Sequence, residues 1–124
     1  MNRFDQFSGC IIGGAIGDAY GGQFENVEFE IESEELIIWG GIKEDRKFFL
    51  SDDTLLTLAT CESIIESGKV DPEAISQKFV EWYEKGKLSG LGSATLQAIQ
   101  GIRNGGHWWI VGQKGERAAG NGSA

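Results

Sequence analysis

The sequence is poor in several residue types that commonly announce a function. Histidine and proline each occur once in 124 residues, and there are two cysteines. A lone histidine with two widely separated cysteines cannot assemble a structural zinc site, which needs four clustered nitrogen and sulfur ligands. No Ser-His-Asp arrangement stands out as a nucleophilic triad. A single proline rules out a proline-rich linker composition. Basic residues are also scarce: 11 Lys and Arg against 19 Asp and Glu give a net charge of -8, which argues against general affinity for nucleic acid. No apolar run approaches the roughly 20 residues of a membrane-spanning helix. The polar start Met1-Asn2-Arg3-Phe4-Asp5-Gln6 does not read as a signal peptide. The expectation is a cytoplasmic protein with no nucleic-acid or membrane partner. Cys10 and Cys61 sit in apolar, helix-like runs and read as small buried thiols.

Glycine, in contrast, is abundant. The chain has 19, about twice the usual share of roughly 7%. With so little proline, this points to close backbone approaches and to loops beside a ligand.

The apolar spacing predicts four helical segments. The first covers about residues 3–20, with Gly9, Gly13, Gly17 and Gly21 on one face, a stripe that would let another helix come close. Residues 22–50 read as an acidic loop or short hairpin. The second helix starts near Asp53, carries Leu55, Leu58, Ala59 and Ile65 with Leu56 and Ile64 widening the face, and stops at Gly68. Asp71-Pro72-Glu73 opens the third as cap, first helical residue and dipole-favoured acid, followed by Ile75, Phe79, Trp82 and Tyr83. Ser93 is expected to cap a fourth helix bearing Leu96, Ile99 and Ile102, ended by Gly105-Gly106. The fold class expected is all-α, a multi-helix domain of amphipathic helices.

Ser51-Asp52-Asp53-Thr54 is the densest chemistry in the chain. Adjacent carboxylates repel unless solvent or a cation lies between them. A hard divalent ion would relieve the conflict, and hydroxyl and carboxylate oxygens are the donors Mg²⁺ or Mn²⁺ prefers. The alternative is an N-cap followed by an acidic first turn. Asp18 and Glu25 are the polar points of a small, apolar stretch and read either as surface charges or as groups beside a ligand. Ser89-Gly90-Leu91-Gly92-Ser93-Ala94-Thr95, leading into the fourth helix, is either a phosphate cradle or an ordinary connection. Gly120-Asn121-Gly122-Ser123-Ala124 alone reads as a tail, and His107, beside Trp108 and Trp109, as a packed or surface residue.

In combination and in this order, five pieces resemble the ADP-ribosylglycohydrolase family: residues 9–19 (GCIIGGAIGDA) with Glu25, Ser51-Asp52-Asp53-Thr54, Phe79-Val80-Glu81-Trp82-Tyr83, Gly92-Ser93-Ala94-Thr95, and Gly120-Asn121-Gly122-Ser123-Ala124. The resemblance implies an all-helical fold with a two-metal centre of Mg²⁺ or Mn²⁺. It also implies hydrolysis of the glycosidic bond that joins ADP-ribose to a protein side chain or a related compound. It makes Ser51, Asp52 and Asp53 metal ligands, serine standing where the family more often has threonine. It gives Glu25 an acid–base or substrate-gating role beside the metals, and it assigns Gly92, Ser93, Gly120, Asn121, Gly122 and Ser123 to substrate; in the chemistry such a reaction needs, a carboxylate such as Glu25 or Asp53 could assist the proton transfer, so both are candidate catalytic residues. The expected partner is an ADP-ribosylated protein or an ADP-ribosyl small molecule. Family chains are longer, and their later part supplies further aspartate and threonine ligands. Residues 1–124 are therefore expected to be one incomplete domain, its N-terminal half, with self-association if the core is left open. The alternative is a non-catalytic ADP-ribose- or metal-binding helical module.

Overall fold

The computed structural model describes residues 2–22, 24 and 48–115, in two units, Met1–Phe49 and Leu50–Ala124. The described residues are helices and connections, with no strand among them, as an all-α chain requires. The loop or hairpin expected within 22–50 falls mostly outside the described residues.

The first unit contains helix α1, Arg3–Gly21. Asn2 caps it: its Oδ1 accepts from the Asp5 N–H at 2.9 Å, and Asp5 itself lies in the first turn, where the dipole favours an acid. The glycine stripe is present, and among the described residues a Cβ at Gly9, Gly13, Gly17 or Gly21 would meet no atom within 4 Å. Cys10 is exposed and Cys61 half-buried, both free, which corrects the expectation of buried thiols.

The second unit is built from α2 (Asp52–Ser67), α3 (Pro72–Glu84), α4 (Ser93–Arg103) and a single turn, α5 (Trp108–Val111). Gly68 ends α2 in the left-handed region (φ 71°), donating its N–H to Ile64 O at 2.8 Å. Glycine adopts that conformation without the penalty a Cβ would bring. The short link turns the chain back, and α3 starts as expected: Asp71 Oδ1 accepts from the Glu73 and Ala74 N–H groups, with Pro72 in the first helical position. Lys69 beside Asp71, together with those N–H groups, holds its carboxyl below the usual range.

Leu56 and Ala59 from α2, Phe79, Val80 and Trp82 from α3, and Ile99 and Ile102 from α4 form the core. Ile75, Tyr83, Leu88 and Val111 pack around it. One apolar residue of the expected α2 face is displaced. Ile65 is 82% exposed while Leu56 is fully buried. Nine residues at about 100° each place Ile65 on the side of the helix opposite Leu56, so Leu56 and Ala59, rather than Ile65, mark the inward face.

The α2–α3 contact also carries a buried cation. Lys78, with a side chain only 8% exposed, lies 2.7 Å from Glu66 on α2 and 2.8 Å from Glu81 on its own helix, with Glu62 at 4.0 Å. Glu62 also accepts from Trp82 Nε1 at 2.6 Å. Hydrogen bonds to Glu66 and Glu81 raise the Lys78 pKa well above that of an ordinary lysine. Hydrogen bonds from Lys78 and Lys85 lower Glu81 to about 2.

Two stability experiments follow. Leu56→Ala removes a fully buried side chain and is expected to cost about 2–5 kcal/mol in urea denaturation; Ile65→Ala is expected to stay within roughly 0.5 kcal/mol. Comparable losses at both positions would contradict the assigned face. Because Glu81 titrates near 2 when folded rather than near its ordinary 4.5, the unfolded chain binds more protons between those values. The contribution is complete above the higher value and lost as pH falls toward the lower one. The urea midpoint is expected to fall less steeply with acid in Glu81→Gln than in the wild type; superimposable slopes would exclude this network as a source of acid sensitivity.

Candidate functional site

The start of α2 is set by one side chain. Ser51 has extended backbone (φ -79°, ψ 176°), and its Oγ accepts from the Asp53 N–H at 3.1 Å. Its carbonyl accepts from the Leu55 N–H at 3.2 Å. Ser51 is thus the N-cap, and Asp52 and Asp53 fill the first turn, where the helix dipole favours negative charge. Thr57 Oγ1 donates to the Asp53 carbonyl at 2.8 Å, and Thr54, next in sequence, is buried. Asp52 is half-buried and Asp53 exposed.

The two readings of this tetrapeptide are therefore compatible. The cap engages the Ser51 hydroxyl as an acceptor, while the carboxylates of Asp52 and Asp53 stand in the first turn beside it. Among the described residues neither Asp52 nor Asp53 has an ion-pair partner, although their carboxylates follow each other in sequence. Two carboxylates and a hydroxyl at the positive end of a helix form an all-oxygen donor set that fits a hard divalent cation in type. The set is small. Among the described residues no three acidic, histidine or cysteine side chains come together in a metal-holding group.

The second candidate element is the start of α4. Gly92 (φ -63°, ψ 155°), rather than Ser93, is its N-cap, and Ser93 is its first helical residue. The expected Ser93 cap is thus displaced by one position. Glycine has no side chain to accept from the first turn, and no side-chain capping bond is made there. The Gly92 carbonyl accepts from the Leu96 N–H at 2.9 Å. An 11-residue helix whose first N–H groups are not used by its cap residue is the arrangement in which an anion can take their place. Gly92 and Ser93 are both exposed. The packed unit thus carries the starts of α2 and α4 on one scaffold, each helix resting on α3.

Glu25, Gly120, Asn121, Gly122 and Ser123 lie outside the described residues. The stretch Phe79-Val80-Glu81-Trp82-Tyr83 is structural: Phe79, Val80 and Trp82 are core, and Glu81 holds Lys78. Sequence reasoning missed α5 and the role of His107, whose Nδ1 accepts from the Trp109 N–H at 3.2 Å. The available signal was a polar residue directly after Gly105-Gly106 and before an apolar run, but histidine is an uncommon cap.

The ADP-ribosylglycohydrolase family model matches residues 1–124. The chain belongs to the ADP-ribosylglycohydrolase family. It is 31% identical over 125 residues to the ADP-ribosylarginine hydrolase Tri1 of Pseudomonas putida (strain GB-1), covering 96% of this chain and 33% of that protein. It is 30% identical to the enzyme of the same name from Serratia proteamaculans (strain 568), covering 85% of this chain and 31% of that protein. With the ADP-ribosylhydrolase ARH3 of Danio rerio it shares 24% identity, over 77% of this chain and 27% of that protein. The chain spans about a third of the length of the curated relatives it matches. No solved structure matches it significantly. No helix of the described residues is long and apolar enough to cross a membrane.

Since Ser51 caps α2 in this ADP-ribosylglycohydrolase chain, Ser51→Ala is expected to lower stability by about 1 kcal/mol in urea denaturation with chelator present, and Ser51→Asn to restore most of the loss. An unchanged midpoint for Ser51→Ala would contradict the cap.

Proposed function

We propose that this chain carries part of the active site of a divalent-metal-dependent hydrolase that releases ADP-ribose from a modified side chain or a related ADP-ribosyl compound. The observation that supports it most is the Ser51-Asp52-Asp53 start of α2, two carboxylates without a cationic partner among the described residues, in a chain matched throughout by the family. Residues 1–124 are read as part of one domain. Ser51, Asp52 and Asp53 would hold Mg²⁺ or Mn²⁺ through oxygen. A bound ion of this kind orients hydroxyls and lowers the pKa of water.

The reaction adds water across the bond between ribose C1 and the leaving atom. The water oxygen joins C1, and a proton goes to the departing nitrogen or oxygen. Two acidic residues are assigned to moving that proton, Asp53 at the start of α2 and Glu25, since a positioned carboxylate can accept and return it. The first-turn N–H groups of α4, beginning at Ser93, are assigned to a phosphate oxygen of the ADP-ribose, as are backbone groups of Gly120, Asn121, Gly122 and Ser123. The names of the two bacterial relatives make the arginine linkage the first substrate to test.

The experiment is release of free ADP-ribose from an arginine-ADP-ribosylated protein, with Mg²⁺ or Mn²⁺ added. Release by the wild type and loss in the Asp52→Ala, Asp53→Ala double variant are expected. Equal rates would remove the catalytic assignment. A second reading, a non-catalytic ADP-ribose- or metal-binding helical module, draws on the small size of the described donor set. Calorimetric binding of ADP-ribose without turnover would favour it.

A further inference from the structure

His107 opens α5 in extended backbone (φ -82°, ψ 136°), and its ring, not an oxygen, receives the capping N–H of Trp109. The usual capping side chains offer an oxygen that accepts throughout the neutral range. A ring nitrogen accepts only while it is bare. The hydrogen bond therefore requires a neutral ring with its proton on Nε2. That nitrogen lies 4.0 Å from Glu73 Oε2 on α3.

Among the described residues, Tyr83 of α3 packs against the core, and the other charged groups of the helices packed on α5 engage elsewhere. On α3, Lys78 and Glu81 belong to the buried cluster, and Glu84 takes Arg103 Nε at 3.0 Å. Arg103 is the ionisable residue of α4. Where α4 meets α5 the contact is uncharged: a Cβ at Gly101 would stand 3.0 Å from Val111 Cγ1, and one at Gly106 only 2.6 Å away. The turn is thus held at its far end by Val111 seated on two glycines, and at its near end by the His107 cap. Trp108 and Trp109 ride on it, with ring centroids 5.3 Å apart and edge-on, and Trp109 is 75% exposed.

We infer that His107 is a pH-sensitive latch on α5, in which protonation at Nδ1 breaks the cap and transfers the ring to Glu73, loosening the Trp108-Trp109 turn. Two effects act in this direction. An added proton turns the acceptor into a donor facing another N–H, and it puts a positive charge at the positive end of a helical turn. This inference stands independently of the proposed hydrolase activity.

Nitrogen-15 NMR of the chain tests it by following the His107 ring nitrogens and the Trp109 amide from about pH 8 to about pH 5, where histidine titrates. The expected result is the Nε2–H tautomer at the upper end and a roughly fivefold loss of Trp109 amide protection as the ring titrates, the size of a lost N-cap. His107→Asn, which caps without titrating, is expected to keep Trp109 protected throughout. An Nδ1–H tautomer at the upper end, a Trp109 amide indifferent to pH in the wild type, or a Trp109 transition that survives in His107→Asn would overturn the latch. The tautomer measurement needs no variant to fold.

Discussion

The rotational setting of α2 is the constraint on which the rest of the second unit depends. The Ser51 hydroxyl on the Asp53 N–H fixes where the helix begins. That choice points Leu56 and Ala59 at α3 and α4 and turns Ile65 toward water. A start displaced by one residue would rotate every side chain by about 100° relative to the entering chain and take Leu56 out of the core. The same bond makes Asp52 and Asp53 first-turn residues. Packing and candidate chemistry are thus set together by one serine.

The two ends of α2 treat their acids differently. Toward the C-terminus, Glu62 and Glu66 stand where the dipole disfavours negative charge, and α2 has no basic residue of its own in its last turn. Lys78 from α3 compensates, and Trp82 donates to Glu62, so those acids serve to hold two helices together. At the N-terminus Asp52 and Asp53 have only the dipole and the backbone among the described groups. An acid already paired with lysine is a poor ligand. The acids at the start of α2 have no lysine or arginine partner among the described residues, which distinguishes them from the structural cluster on the same helix.

Much of this was legible in the sequence because it rests on local rules. Gly68, Asp71 and Pro72 mark helix ends through backbone geometry and capping, and all three behave as that chemistry dictates. The apolar face of α3 was legible because aromatic residues at helical spacing have little alternative to burial. The α2 face was harder: Leu55, Leu56, Leu58, Ile64 and Ile65 surround the helix, so apolar spacing alone does not single out the inward ones. Lys78 was illegible for a related reason, since its partners on α2 are distant in sequence. The Gly92 cap escaped because glycine caps without a side chain, and the α5 turn because a histidine acceptor depends on protonation. At the candidate site, Ser51, Asp52 and Asp53 were readable as a group, while Glu25 and residues 120–123 rest on family resemblance.

The central claim is that the start of α2 is a cation site as well as a helix cap. Titration of Mn²⁺ into the chain, followed by loss of the free-ion electron paramagnetic resonance signal, addresses it most directly. The account predicts that the wild type depletes the free-ion signal and that a chain carrying both Asp52→Asn and Asp53→Asn does not, with helical content unchanged. The same free-ion signal in both proteins would contradict it.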